Sequence, residues 1–221
     1  MGKDKFSYST SIINSLENSI SSDRLSAYLT VTSDNLEKAL ELYAWNTAIS
    51  AELYITLQGL EVTIRNFMHR ELSRIYGEYW FDNIPTIPLT INAKKKIENA
   101  KRTISNNNNI IDPPHVVAEL SFGFWIALLG HGNNREYHNK LWTPALHRAF
   151  PNIKTNRKRL HKRMDNLRIL RNRIAHHEPI FKRHLEADYN SIIETISWMC
   201  EDTSHWVDYH NCFSDVASGK P

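Results

Sequence analysis

The chain has little glycine and little cysteine, and it lacks any long apolar run. Seven glycines and two cysteines occur among its 221 residues. Two cysteines, Cys200 and Cys212, are too few for a disulfide framework, so we expect reduced thiols and a cytoplasmic location. No apolar run approaches the roughly 18 residues of a membrane span, and the polar, serine-rich start lacks the apolar core of a secretion signal. We therefore expect neither secretion nor a membrane partner.

Helical periodicity of apolar residues runs along most of the chain, while the period-2 alternation of strands is rare. We therefore expect an all-α fold. We expect the segment 1–32 to be loosely ordered apart from a short helix over 23–29, the helical domain to cover 33–212, and the tail 213–221 to be disordered. Helices are predicted over about 34–76, 93–105, 113–129, 144 onward, 155–176 and 184–210.

Sequence signals for helix ends support several of these boundaries. Asp34 and Glu37 are spaced like a capping box at the start of the long helix, and Gly77 predicts its end. Thr90 or Asn92 can cap the helix that follows, because their side-chain oxygens accept hydrogen bonds from the first free N–H groups.

A strongly basic stretch stands out against the modest net charge of +3. Residues 154–173 hold nine Lys/Arg and one Asp. Such a density predicts a polyanion partner, although a solvated helix face is the commoner meaning of a charge run. The cations expected to follow an RNA backbone are Arg157, Lys158, Arg159, Lys162, Arg163 and Arg168.

Arg171 lies on the apolar side of the helix predicted over 155–176. It is eleven residues from Leu160 and falls about 20° from it on a helical wheel. A guanidinium facing the core needs an anionic partner, which is either a carboxylate such as Glu61 or Glu119, or a ligand phosphate. The apolar stripe itself comprises Leu160, Met164, Leu167, Leu170 and Ile174.

Asn172 and His176 are four residues apart and share a different face of this helix, roughly 100–140° from Arg171. Three arrangements reconcile the faces: the arginine side chain curls round, the last turn unwinds, or a second copy supplies its residues across a dimer interface. The last arrangement also accounts for Ile169, an apolar residue on the Asn172 face. Pro179 closes the helix.

The stretch LRNRIAHHEPIF, residues 170–181, resembles the corresponding segment of Abi-like proteins and carries the Arg-x4-His signature of HEPN domains. Two upstream segments are similar to the same family: WNTAISAELYITLQGLEVTIRNFMHREL, residues 45–72, and ELSFGFWIALL, residues 119–129. The resemblance covers roughly residues 35–210.

This resemblance implies an HEPN-like helical bundle with extra helices, paired about a two-fold axis. It implies a metal-independent endoribonuclease without a cofactor, acting as a toxin or phage-defence effector on RNA, with an antitoxin or regulatory protein as a possible partner. The implied catalytic residues are Arg171, Asn172 and His176, with His177 as an alternative acid or base. Some relatives bind without cutting, so a non-catalytic RNA- or protein-binding module is the alternative.

These residue types suit RNA cleavage because RNA supplies its own nucleophile, the 2′-hydroxyl. A histidine can move protons near neutral pH, and an arginine can neutralise the charge that develops on the phosphate. The expected products are a 2′,3′-cyclic phosphate and a 5′-hydroxyl. A more distant alternative is a DNA-binding regulator that uses 154–163 as a recognition helix.

Overall fold

The computed structural model describes residues 6–82 and 87–221, and every regular element within these ranges is a helix. The prediction of an all-α fold is thus confirmed. The α-helices are α1 (Thr10–Ile20), α2 (Ser22–Leu29), α3 (Leu36–Tyr76), α4 (Ile91–Asn106), α5 (Pro113–Glu119), α6 (Phe122–Leu128), α7 (Arg157–Ala175), α8 (Leu185–Ser197), α9 (Glu201–Tyr209) and α10 (Phe213–Ser218). Between α6 and α7 lie two 3₁₀ turns, Asn133–Arg135 and Leu146–Ala149, and a π-helix, His138–Trp142.

Capping side chains set the helix starts, with one correction to the sequence prediction. Asn35, rather than Asp34, caps α3: its Oδ1 accepts a hydrogen bond from the N–H of Lys38 at 3.0 Å, while Asp34 takes a left-handed φ of 59°. Thr90 caps α4, and Gly77 ends α3 with a φ of 88°, both as predicted.

Two helices predicted as continuous are each divided in the structure. The helix predicted over 113–129 breaks at Leu120, whose extended backbone separates α5 from α6, and the helix predicted over 184–210 breaks before Cys200. The breaks escaped the sequence pattern because buried apolar residues, Leu120 and Met199, continue the periodicity through them. The helix predicted from Pro144 onward is limited to a 3₁₀ turn.

Both chain ends are more helical than the sequence predicts. Part of the segment expected to be loosely ordered forms α1, which is capped by Ser9 and buries none of its side chains, so it left no apolar signal. Residues 1–5 lie outside the described residues. The tail predicted to be disordered forms α10, because Phe213 is buried and Trp45 Nε1 donates a hydrogen bond to the carbonyl of Val216 at 2.7 Å.

The described chain divides into two compact units. The first contains the residues up to Tyr54 together with Arg173–Arg183 and Cys212–Pro221. Its core includes Tyr28, Ala39, Leu42 and Phe181, with the rings of Tyr28 and Phe181 4.9 Å apart.

The second unit contains Ile55–Asn172 and His184–Asn211. An aromatic cluster marks its core, formed by Trp80, Phe81, Phe124 and Trp125. Gly59 of α3 lets α9 approach closely, since a Cβ there would lie 2.7 Å from Val207 Cγ2. The sequence alone gives no sign of the division, because α3 and α7 each run through it. Among the described residues, no helix has the length and apolar character needed to cross a bilayer.

Candidate active site at the end of helix α7

Helix α7 begins at Arg157, close to the predicted start at 155. Asn156 caps it, since Asn156 Oδ1 accepts a hydrogen bond from the N–H of Arg159 at 3.0 Å. The whole predicted apolar stripe is buried, which anchors the helix through burial of its aliphatic side chains. Its members are Leu160, Met164, Leu167, Leu170 and Ile174.

In the second unit, Arg171 lies beside Glu61 of α3. Arg171 Nε is 3.5 Å from Glu61 Oε2, and the two side chains are 32% and 23% exposed. The Nε atom is buried, yet it has no hydrogen-bond acceptor within the described residues. The carboxylate therefore attracts the guanidinium without satisfying its Nε–H, which is short of the bidentate geometry of the strongest arginine–carboxylate pairs.

Arg65 of α3 has the same unsatisfied donor as Arg171. Arg65 follows Glu61 by one helical turn, and its Nε is also buried without a hydrogen-bond acceptor among the described residues. Glu119, the other predicted partner of Arg171, is exposed at the end of α5, and no ion pair joins the two within the described residues. Arg65 and Arg171 thus each keep a buried donor unsatisfied among the described residues.

Asn172 and the two histidines differ in their surroundings. Asn172 is half-buried and belongs with Arg171 to the second unit, whereas His176 and His177 are exposed in the turn after α7 and belong to the first. Helix α7 ends one residue before His176, at Ala175, rather than at His176 as predicted.

In the first unit, the turn after α7 is a Schellman motif with a histidine where glycine is usual. The N–H of His177 donates to the carbonyl of Ile174 at 3.0 Å, and the N–H of Glu178 donates to that of Arg173 at 2.8 Å. His177 takes a φ of 56°, in the left-handed region. Its own carbonyl accepts a hydrogen bond from Arg24 Nη1 at 2.7 Å, so α2 holds the turn in place.

A cavity of about 460 Å³ lies beside this turn within the first unit. Helix α3 contributes Asn46 and two tyrosines, Tyr43 and Tyr54, and the end of α7 contributes Ala175 and His177. His177 thus lines this cavity together with aromatic and amide side chains, which is the composition of a small-ligand or nucleobase pocket.

Asn46 is a residue of this site that the sequence analysis missed. It is 5% exposed, and its Oδ1 accepts hydrogen bonds from the N–H groups of Ile180 at 2.8 Å and Phe181 at 3.1 Å. Asn46 thereby fixes the segment that follows Pro179. The missed signal was available, because Asn46 is a polar residue inside the apolar stripe of α3, spaced four and three residues from Leu42 and Ile49.

The cations predicted to bind RNA fall into two groups. Arg157 is half-buried, and its Nη1 donates to the carbonyls of Leu129, at 3.1 Å, and Gly130 at the end of α6. Burial also lowers the pKa of the Arg157 guanidinium. Three others are exposed and form no ion pair with a described residue: Lys158, Arg159 and Lys162.

The two remaining cations are occupied by neighbouring side chains. Arg163 pairs with Glu194 and lies over the ring of Trp198, 4.4 Å from its centroid. Arg168 pairs with Asp165 one turn earlier on α7, at 2.7 Å. These contacts account for Arg163 and Arg168, so the exposed cations of α7 that form no ion pair with a described residue are Lys158, Arg159 and Lys162.

A family model described as "Abi-like protein" matches residues 14–182, which include the whole of α3 and α7 and the turn that follows. No curated protein matches the chain, and no solved structure matches it. The matched span covers more than half of the 221 residues and contains every residue of the candidate active site. The chain therefore belongs to the Abi-like protein family.

Proposed function

We propose that this Abi-like protein is a metal-independent endoribonuclease of the HEPN kind that acts as a toxin or phage-defence effector in abortive infection. The observation that carries the proposal is the environment of Arg171. This charged residue lies in a buried stripe, and its Nε–H is buried without an acceptor in the described residues. An unsatisfied buried donor costs about 1–3 kcal/mol, so its retention favours an acceptor that arrives with a ligand.

An RNA phosphate is an acceptor of the right chemistry. Arg171 lies 3.5 Å from the carboxylate of Glu61, and Arg65 follows Glu61 by one helical turn on α3, so two cations accompany one carboxylate among these three residues. The guanidinium fork matches phosphate oxygens in charge and geometry. In the proposed role, Arg171 neutralises the charge on the non-bridging oxygens in the transition state, while Glu61 is a positioning residue that holds Arg171.

The proposed reaction is an internal transesterification of RNA. A histidine accepts the proton of the 2′-hydroxyl, the 2′-oxygen bonds to phosphorus, and the bond from phosphorus to the 5′-oxygen breaks. A second histidine donates a proton to that leaving oxygen, which gives 2′,3′-cyclic phosphate and 5′-hydroxyl ends. Asn172 orients the histidine or the phosphate by hydrogen bonding.

Either histidine after α7 can serve as acid or base, and the structure offers an argument for His177. A left-handed φ in a residue other than glycine costs about 1–2 kcal/mol, and such strain is concentrated at functional positions. His177 carries this strain and lines the cavity beside the turn. His176 remains a candidate because it completes the Arg-x4-His spacing.

A two-fold dimer is part of the proposal, because two copies supply two histidines to one cleft. Ile169 supports it: this α7 side chain is 42% exposed and apolar, as expected of an interface residue. An effector that cuts cellular RNA also needs restraint, so we propose an antitoxin or regulatory protein as a further partner.

The test is cleavage of total RNA by the purified protein in EDTA. Loss of an acid–base residue is expected to lower the rate about 10²–10⁴-fold, and Arg171→Ala about 10²–10³-fold. His176→Ala and His177→Ala, measured separately, assign the proton transfers. Products with 3′-hydroxyl ends, or cleavage that requires a metal, would refute the mechanism.

Two glutamate variants test the support of Arg171. Glu61→Gln keeps the shape of the side chain and removes its charge, so cleavage is expected to fall with little loss of folding stability. Glu119→Gln is the matched control, because Glu119 is exposed on α5. Equal activity in both variants would remove Glu61 from the proposal.

A non-catalytic RNA- or protein-binding module is the second candidate, and the ion pair between Arg171 and Glu61 is the observation that favours it. A carboxylate beside an inward arginine is what a purely structural role requires. In that case the wild-type protein would bind RNA without cutting it, and Arg171→Ala would lower the free energy of unfolding.

A further inference from the structure

A groove of about 890 Å³ lies in the second unit, beside the N-terminal end of α7. The charged side chains that line it are cationic: Arg135 from the first 3₁₀ turn, and Arg157 and Lys158 from α7. His131 and His138 line it as well, and no carboxylate does among the described residues. Such a lining attracts anions, because no opposite charge in the wall neutralises it.

The loop that forms one wall has an unusual backbone. Arg135 takes a φ of 61°, a left-handed conformation that costs about 1 kcal/mol or more in residues other than glycine. The next element, His138–Trp142, is a π-helix, closed by a hydrogen bond from the N–H of Thr143 to the carbonyl of His138 at 2.9 Å. Left-handed residues and π-helical turns are both concentrated at functional sites, which makes this loop a candidate.

The positive charge of the groove is available to a ligand. Arg135 and Lys158 are exposed and form no ion pair with a described residue, and the nearby Glu136 is paired with Lys140 at 3.3 Å. The N-terminal end of α7 adds to the attraction through the positive end of the helix dipole, while Asn156 already accepts the hydrogen bond from the N–H of Arg159. Burial lowers the pKa of His161 on α7, and the charges of His131 and Arg157 act in the same direction, against the opposing effect of Asp165.

One aromatic ring gives the groove a preference among anions. Trp142 lines it, is partly exposed, and packs against Phe150 with ring centroids 6.1 Å apart and an interplanar angle of 30°. A ring held in this way is a platform for an unpaired base, while the cations take the neighbouring phosphates. An acidic protein segment would use the charges but not the ring.

We propose that this groove binds the backbone and one base of single-stranded RNA, as a second contact point away from the cleavage site. The inference rests on the proposed function, since it assigns a binding site for the same substrate. Arg157 and Arg171 are fourteen residues apart on α7, which corresponds to about 21 Å. At a rise of about 3.4 Å per nucleotide, a strand that reaches both spans on the order of six nucleotides.

Binding is measured by fluorescence anisotropy with a labelled single-stranded RNA of twelve nucleotides, in EDTA. The protein is the full chain carrying His176→Ala and His177→Ala, which stop cleavage. Arg135→Glu or Lys158→Glu is expected to raise the Kd about tenfold at moderate salt and to reduce the salt dependence of binding by about one phosphate contact. Lys95→Glu is the matched control, because Lys95 is exposed on α4, outside the groove, and the charge change is the same.

Trp142→Leu separates stacking from charge. We expect it to raise the Kd at least about fivefold with an unchanged salt dependence. A four-nucleotide RNA is too short to reach both the groove and the cleavage site. We therefore expect it to bind more weakly than the twelve-nucleotide RNA and to gain nothing from having both sites intact in one protein.

Two outcomes would refute the proposal that the groove binds single-stranded RNA. If Lys95→Glu weakens RNA binding as much as the groove variants do, binding depends on overall charge. If duplex DNA or a polyglutamate peptide binds more tightly than single-stranded RNA, the groove has another partner. If the groove variants bind less RNA while the wild-type chain cuts none, the groove stands and the ribonuclease proposal fails. If the wild-type chain cuts RNA, and the groove substitutions change neither RNA binding in the chain without the two histidines nor RNA cleavage in the chain that keeps them, the ribonuclease proposal stands and the groove proposal fails.

Discussion

Replacing His177 by glycine is expected to make the protein more stable and less active. His177 holds a φ of 56° in the Schellman motif after α7. The left-handed conformation costs about 1–2 kcal/mol for an L-residue, and glycine removes this cost. Glycine also loses more backbone entropy on folding, about 0.5–1 kcal/mol. The middles of these two ranges differ by about 0.75 kcal/mol, which is the expected net gain in the free energy of unfolding.

The stability assay is thermal unfolding followed by circular dichroism. For a chain of this size a gain of 1 kcal/mol raises the Tm by roughly 2–4 °C, so His177→Gly should raise it by roughly 1–4 °C. The matched control is His176→Gly. His176 has no positive φ, so glycine relieves no strain there and only adds backbone entropy to the unfolded chain.

The two readouts test separate parts of the reasoning. A Tm for His177→Gly at or below that of the wild type would refute the strain argument. A raised Tm with RNA cleavage unchanged would show that the strain serves no catalytic purpose at this position, and His176 would become the acid or base. A raised Tm with cleavage reduced about 10²-fold or more would support His177 in that role.

Three further perturbations test other parts of the structure. Asn46→Ala removes the acceptor of two buried N–H groups, so urea denaturation should show a loss of about 2–4 kcal/mol, whereas Thr47→Ala, at an exposed position, should change stability by less than about 0.5 kcal/mol. Hydrogen bonds from the side chain and backbone of Thr203 lower the pKa of the Cys200 thiol, so its alkylation should persist at lower pH than in a Thr203→Ala variant; identical pH profiles would contradict this. Phe213→Ala should lower the free energy of unfolding by about 3 kcal/mol if α10 is packed as described, while an unchanged stability would support the sequence prediction that the tail is disordered.

The helical class and most helices follow from apolar periodicity, and the errors have one physical cause. Periodicity reports which residues are buried, and burial continues through Leu120 and Met199, where the backbone leaves the helix. Conversely, α1 buries no side chain and so produced no signal, although Ser9 caps it. A sequence pattern therefore locates buried faces better than it locates the breaks between helices.

The candidate site was predictable in its residues but less so in its geometry. The helical wheel predicts that Arg171 lies in an apolar stripe, and every apolar member of that stripe is buried in the structure. The conformation of His177 has no such signal, because the left-handed φ arises from hydrogen bonds that close the turn and from Arg24, which is distant in sequence. The roles assigned to Arg171, Asn172, His176 and His177 remain predictions.

The comparison of Asn46 with Arg171 shows what a structure adds to the signal of a polar residue in an apolar stripe. Both residues carry that signal, so the sequence cannot separate them. Asn46 Oδ1 accepts two hydrogen bonds, from the N–H groups of the two residues after Pro179, so Asn46 has a structural role within the fold. Arg171 has a carboxylate at 3.5 Å and a buried Nε–H that no described residue accepts. Because a buried donor without an acceptor is costly, folding alone explains Asn46, while the unsatisfied donor of Arg171 favours a ligand. This difference is the physical basis for the proposal that Arg171 binds a phosphate.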